Sequence, residues 1–83
     1  MKICFLDNSP IPYTSNDLNS KNIRGGENAI IHLSNELSKL GNEIVVYNNC
    51  KDSCVINDVK WFNISHTNKN LTYDIAFTNN DIK

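Results

Sequence analysis

Eighty-three residues carry a formal net charge of −1 and a pI near 6.0, which allows one small domain and excludes the basic footprint of a nucleic-acid or anionic-membrane binder. The 40% hydrophobic content suffices for a modest core. Fifteen asparagines depress both helix and strand propensity, so a single asparagine carries little weight. No segment approaches the ~20 apolar residues needed to span a bilayer. The amino-terminal apolar run stops at Asp7, shorter than the ~7–15 residues of a signal-peptide core. The expected location is the cytoplasm, with no nucleic-acid partner and no transmembrane segment.

Lys2 to Leu6 reads as a buried strand, short, apolar and closed by Asp7-Asn8-Ser9-Pro10. The polar stretch from Asp7 to about Arg24 exceeds the usual loop length of a compact domain. It is either a substrate-contacting loop or an unstructured insertion. Pro10-Ile11-Pro12-Tyr13 within it is expected to be extended.

Arg24-Gly25-Gly26-Glu27 follows, at the start of an amphipathic segment. The expected helix runs from Glu27 to Leu40, with Ala29, Ile30, Leu33, Leu37 and Leu40 near one face and Ile31 off that stripe. Glu27 suits the positive amino-terminal end, Lys39 the last turn, and Gly41 the left-handed position beyond it. His32, beside the stripe, is read as a boundary residue without a catalytic partner.

Glu43 to Tyr47 is a second, β-branched strand, so strand, helix and strand make a βαβ unit. Cys50 and Cys54 are placed in the loop after it. With His66 they are too few for a closed four-ligand zinc site, so no metal is expected and the thiols are read as reduced. Cys4 is expected to be a small buried apolar residue. A third strand is expected around Val59 to Ile64, and a fourth from Tyr73 to Thr78, followed by Asn79-Asn80-Asp81. The sequons at Asn63 and Asn70 are read as accidents of an asparagine-rich chain. The predicted fold is thus α/β: a partial Rossmann-like parallel sheet of about four strands with one clear helix, over a single unit, residues 1–83.

Paired glycines at a helix start let a ligand approach the backbone, and the first-turn N–H groups with the helix dipole favour an anion. In an open α/β sheet, ligands gather beyond the carboxyl ends of the strands. With the first strand central, topology brings its exit loop at Asp7-Asn8, the Gly25-Gly26 turn and the Thr78-Asn79-Asn80 loop to that edge, with Arg24 and Glu27 beside the turn. Gly25 and Gly26 are the candidate phosphate contacts. Asn8, Arg24, Glu27 and Asn79 are candidate cleft-lining residues, although Arg24 and Glu27 are read mainly as solvated side chains. No G-x-G-x-x-G or Gly-Lys-Ser/Thr pattern occurs, which disfavours a nicotinamide cofactor or a P-loop.

The chain resembles the amino-terminal half of GT-B glycosyltransferases, the large group that includes sucrose synthases and mannosyltransferases. The resemblance rests on Met1-Lys2-Ile3-Cys4-Phe5-Leu6, the long loop, and Gly25-Gly26-Glu27 with Leu33, Leu37 and Leu40. It continues through Leu40-Gly41-Asn42-Glu43-Ile44-Val45-Val46, close to the family's L-x-x-x-G-H-E-V-x-V with Asn42 where His is usual, and through Tyr73-Asp74-Ile75-Ala76. It implies sugar transfer from a nucleotide-sugar donor to an acceptor hydroxyl, without an obligatory metal or a further cofactor. It puts the donor diphosphate at Gly25 and Gly26 and the acceptor toward Asn8 to Tyr13. It also implies an amino-terminal, acceptor-side fragment, inactive alone and prone to self-association through an exposed sheet face or edge. The alternative is a small stand-alone α/β binding or interaction module, whose glycines only let helix and sheet pack closely.

Overall fold

The computed structural model describes residues 1–8, 12–17, 25–66 and 73–79. The architecture is mixed α/β. One helix, α1 (Gly25–Lys39), packs on a five-stranded mixed sheet of β1 (Lys2–Asp7), β2 (Glu43–Asn48), β3 (Cys54–Ile56), β4 (Val59–Asn63) and β5 (Ile75–Asn79). The order across the sheet is β3-β4-β2-β1-β5. β1 pairs in parallel with both β2 and β5, β2 pairs in parallel with β4, and only β3 runs antiparallel. All four parallel strands therefore end on one edge, and α1, which runs back from that edge to the start of β2, begins there.

Strand alternation divides the apolar residues between two faces. Ile3 and Phe5 of β1, Ile44 and Val46 of β2, and Val59 and Trp61 of β4 join Ile30 and Ile31 of α1 in the main core. Cys4, Val45 and Tyr47 point the other way. That reverse face, expected to stay open, is buried at its centre, where Tyr47 packs on Phe62 with ring centroids 5.8 Å apart. The Tyr47 and Tyr73 hydroxyls hydrogen-bond at 3.1 Å, and the Lys2 ammonium sits 5.9 Å above the Tyr73 ring.

The helix differs from the sequence reading in both extent and face. It begins at Gly25, so the glycines form its first turn instead of preceding it. The inward row is Glu27, Ile30, Ile31 and Ser34, with Leu37 partly buried. Leu33 is 45% exposed and Leu40 77% exposed. Leu40 lies just past the last helical residue, its N–H shared between the Glu36 and Leu37 carbonyls. Ser34 is tolerated inside because its hydroxyl donates to the Ile31 carbonyl at 3.0 Å.

The helix stop follows the predicted chemistry. Gly41 has φ +91°, its N–H donates to the Ser38 carbonyl at 3.0 Å, and the Asn42 N–H donates to Leu37 at 3.3 Å. This is a Schellman motif, in which a left-handed residue lets the last carbonyls find donors. Asn42 strengthens it, donating from Nδ2 to Leu37 O at 2.9 Å and accepting from the amino-terminal ammonium at 3.1 Å.

β3 is the element the sequence reading lacked, and Cys54 stands on it, not in a loop. Only three residues long, it is paired on one side, and a two-residue turn, Asn57-Asp58, joins it to β4. Both turn residues have positive φ, 53° and 63°, as a type I′ hairpin turn requires. The Ser38 hydroxyl donates to the Asn57 carbonyl at 3.2 Å and ties the hairpin to the helix.

Candidate functional site at the carboxyl edge of the sheet

The ends of β1, β2 and β4 and the start of α1 meet around one buried aromatic residue, Tyr13. Its phenol donates a short hydrogen bond to Asp7 Oδ2 at the end of β1. Its backbone carbonyl accepts from Asn48 Nδ2 at 2.7 Å, at the end of β2. Its ring meets Trp61 of β4 edge-on, with centroids 5.7 Å apart. Asp7, Tyr13, Glu27, Asn48 and Trp61 are each at most 2% exposed. The long loop is therefore anchored at Tyr13, and the 3₁₀ turn Ser15–Asp17 follows directly, with the Asp17 carboxylate accepting from the Thr14 N–H at 3.0 Å.

Burial chiefly, and then the Asp7 hydrogen bond and charge with a smaller contribution from Glu27, push the Tyr13 phenol far above its ordinary range. Asn48 opposes them. Tyr13 thus stays protonated and acts as a donor at every physiological pH. Trp61 Nε1, beside this cluster, is buried and has no hydrogen-bond partner among the described residues.

Gly25 and Gly26 are exposed at the amino-terminal end of α1, on the carboxyl edge of the sheet. Gly26 borders an apolar groove of about 250 Å³ with Leu6, Ala29, Leu33, Phe77 and Thr78. The groove exists because α1 lies mainly over β2 and β4, leaving its Ala29–Leu33 flank overhanging β1 and β5. A Cβ added at Gly25 meets nothing within 4 Å.

Asn8 is exposed immediately after β1. Asn79 closes β5 in register with Asp7. Arg24 lies outside the described residues. Glu27, a candidate cleft-lining residue expected to be mainly solvated, is instead 2% exposed. The inward row runs through Ile30, Ile31 and Ser34 instead of Ala29 and Leu33, and Glu27, three and four residues before the two isoleucines, falls on it. Sequence reasoning reaches Asp7 only as part of the exit loop after β1 and Tyr13 only as the end of an acceptor-side stretch, and it gives Asn48 and Trp61 no role in the site. A lone Pro-flanked aromatic in a polar loop, and a carboxylate placed where an apolar strand ends, were the available signals. Asn48 was hidden among the other asparagines.

A second cavity, of about 390 Å³, is lined by Tyr13 itself with Thr14, Asp17, Cys50, Lys51 and Cys54 among others. Among the described residues, no group of three or more His, Cys, Asp or Glu side chains can hold a metal ion. Among them, too, no helix is long and apolar enough to cross a membrane. Compared with family models, curated proteins and solved structures, the chain matches none of them.

Proposed function

We propose that the first turn of α1 binds the diphosphate of a nucleotide-sugar, and that the chain forms the acceptor-side part of a GT-B glycosyltransferase transferring a sugar to an acceptor hydroxyl. One observation carries this reading. Gly25 opens the helix in the open, on the ligand-binding edge, where neither a left-handed φ nor a neighbouring atom asks for glycine. At the first position of a helix glycine costs only a few tenths of a kcal/mol, so the fold neither demands nor resists it, which supports a use outside the packing. Close approach of phosphate oxygens to bare backbone is such a use. The first-turn N–H groups lack intrahelical acceptors and carry the positive end of the dipole. Aimed at a departing nucleotide diphosphate, they stabilise the charge that develops on it. Asp7 and Glu27 occupy the inward side, so the diphosphate sits outward, over Gly25 and Gly26. Catalysis belongs to a parent protein that supplies the opposite wall of the cleft, in the cytoplasm.

A non-catalytic α/β binding module is the second reading. The buried Asp7 and Glu27 favour it, because two carboxylates at the helix mouth weaken its hold on an anion. Calorimetric titration with uridine, guanosine and adenosine diphosphates, against the corresponding nucleosides, separates the two. The enzyme reading expects saturable binding of one diphosphate, lost at least tenfold in Gly26→Val while far-UV circular dichroism is retained. Equal affinity in the variant, or no diphosphate binding at all, ends the proposal.

A further inference from the structure

Two thiols converge on the second cavity, away from the glycine turn. Cys50 follows β2 and is buried. Its N–H donates to Asn48 Oδ1 at 3.0 Å and its carbonyl accepts from Asn63 Nδ2 at 2.9 Å. These bonds fix Cys50 across the ends of β2 and β4. Cys54 opens β3 in register with Trp61, and its half-buried side chain packs against the same core cluster that contains Cys50. Both line the cavity beside Tyr13. The chain bends at Lys51 and Asp52, doubling back instead of running extended. β4 lies between β2 and β3 and brings the two cysteines together: Cys54 stands opposite Trp61, and Asn63, two residues further along β4, holds the Cys50 carbonyl.

We propose that Cys50 and Cys54 form a site of reversible oxidation, in which a low-molecular-weight disulfide such as glutathione disulfide converts the two thiols to an intrachain disulfide. The more accessible Cys54 enters first. Its thiolate attacks one sulfur of glutathione disulfide, forming a protein–glutathione disulfide and releasing one glutathione thiolate. The buried Cys50 then attacks the Cys54 sulfur, forming the Cys50–Cys54 bond and releasing the second glutathione thiolate. Two protein thiols are oxidised, one glutathione disulfide is reduced to two thiols, and the two protons pass to them. Cys4 takes no part, since it lies in the cluster on the reverse face of the sheet. A more accessible entry thiol beside a resolving partner is one half of the pattern of redox-responsive cysteines; the other half, a lowered thiol pKa, is absent here, so the exchange is slow. Burial raises both thiols, with Cys54 adding to the effect on Cys50 and Asp52 to that on Cys54. The thiolate is therefore scarce at neutral pH, and the exchange quickens about tenfold per pH unit until the thiols titrate.

The test exposes the full chain to glutathione disulfide, quenches with iodoacetamide and maps the peptides by mass. The expected product has lost two hydrogens, links position 50 to position 54, and leaves Cys4 free for alkylation after unfolding. Cys54→Ser, at the half-buried position, leaves Cys50 unmodified over the same interval, and near-UV circular dichroism verifies its fold. The proposal fails if the unsubstituted chain accumulates a lasting glutathione adduct on Cys54, or if Cys4 becomes a bridge partner. It also fails if nothing reacts under conditions that fully oxidise a dithiol peptide.

Discussion

Replacing Tyr13 by Phe removes one hydroxyl and leaves the ring in place, edge-on to Trp61. The lost bond ends on a fully buried carboxylate, Asp7. Hydrogen bonds to charged groups contribute about 1.5–3 kcal/mol, and Asp7 keeps its other interactions in the variant. The expected loss is about 2 kcal/mol, a large share of the ~5–15 kcal/mol that holds a typical domain together. For a chain of this length that lowers Tm by about 8–16 °C, at roughly 4–8 °C per kcal/mol. Urea titration at neutral pH, with an unchanged m-value, measures the difference directly. The pH dependence supplies an independent check. Folding raises the Tyr13 phenol above its unfolded value, so the folded state holds this proton more tightly. The stabilisation is complete below the unfolded value of about 10 and drains away as pH rises beyond it. Tyr13→Phe removes that share and flattens the alkaline limb. A change below about 0.5 kcal/mol, the level of ordinary surface substitutions, would refute the argument, as would an unaltered alkaline limb. Either would mean that Asp7 holds the loop by other means.

Two glycines should respond in opposite directions. Gly41→Ala forces a side chain into a left-handed conformation and costs about 1 kcal/mol. Gly25→Ala, with open space for the new methyl, leaves stability unchanged or raises it by up to about 1 kcal/mol; both are read by denaturant unfolding, and equal costs would contradict the assigned geometry. The Cys4 thiol, pushed up to about 11 by burial against the opposing Tyr73 hydrogen bond, adds its own alkaline dependence. Its contribution is full below the unfolded value of about 8.5 and is lost as pH climbs to about 11. Thiolate absorbance of the folded protein should lag behind that of the urea-unfolded chain across this window, and coincident curves would show that Cys4 is solvated.

The parts of the fold visible in the sequence were those where local pattern and tertiary demand agree. β1 and β2 are short apolar runs with turn residues after them, and Gly41 stops α1 by a mechanism that one residue announces. The face of α1 was misjudged because burial is decided by the sheet beneath it. Ile31, Glu27 and Ser34 lie inward over β2 and β4, while Leu33 looks across the groove. β3 escaped because three residues bear no period, and its turn, Asn57-Asp58, lacks the glycine that usually marks a tight hairpin. At the carboxyl edge, the glycine pair was legible through composition and position. The Tyr13 anchor was not, since its partners come from the ends of three strands and only the assembled sheet brings them together.

The Asn57-Asp58 reversal governs chemistry at a distance from itself. By joining Ile56 to Val59 across two residues, it fixes which way every side chain of the short outer strand points. Lengthening the loop by one residue would turn Val55 inward and carry Cys54 to the solvent side, out of reach of Cys50. A bend that touches neither sulfur thereby decides whether they can ever be joined, and its composition is the simplest handle for uncoupling them without altering either cysteine.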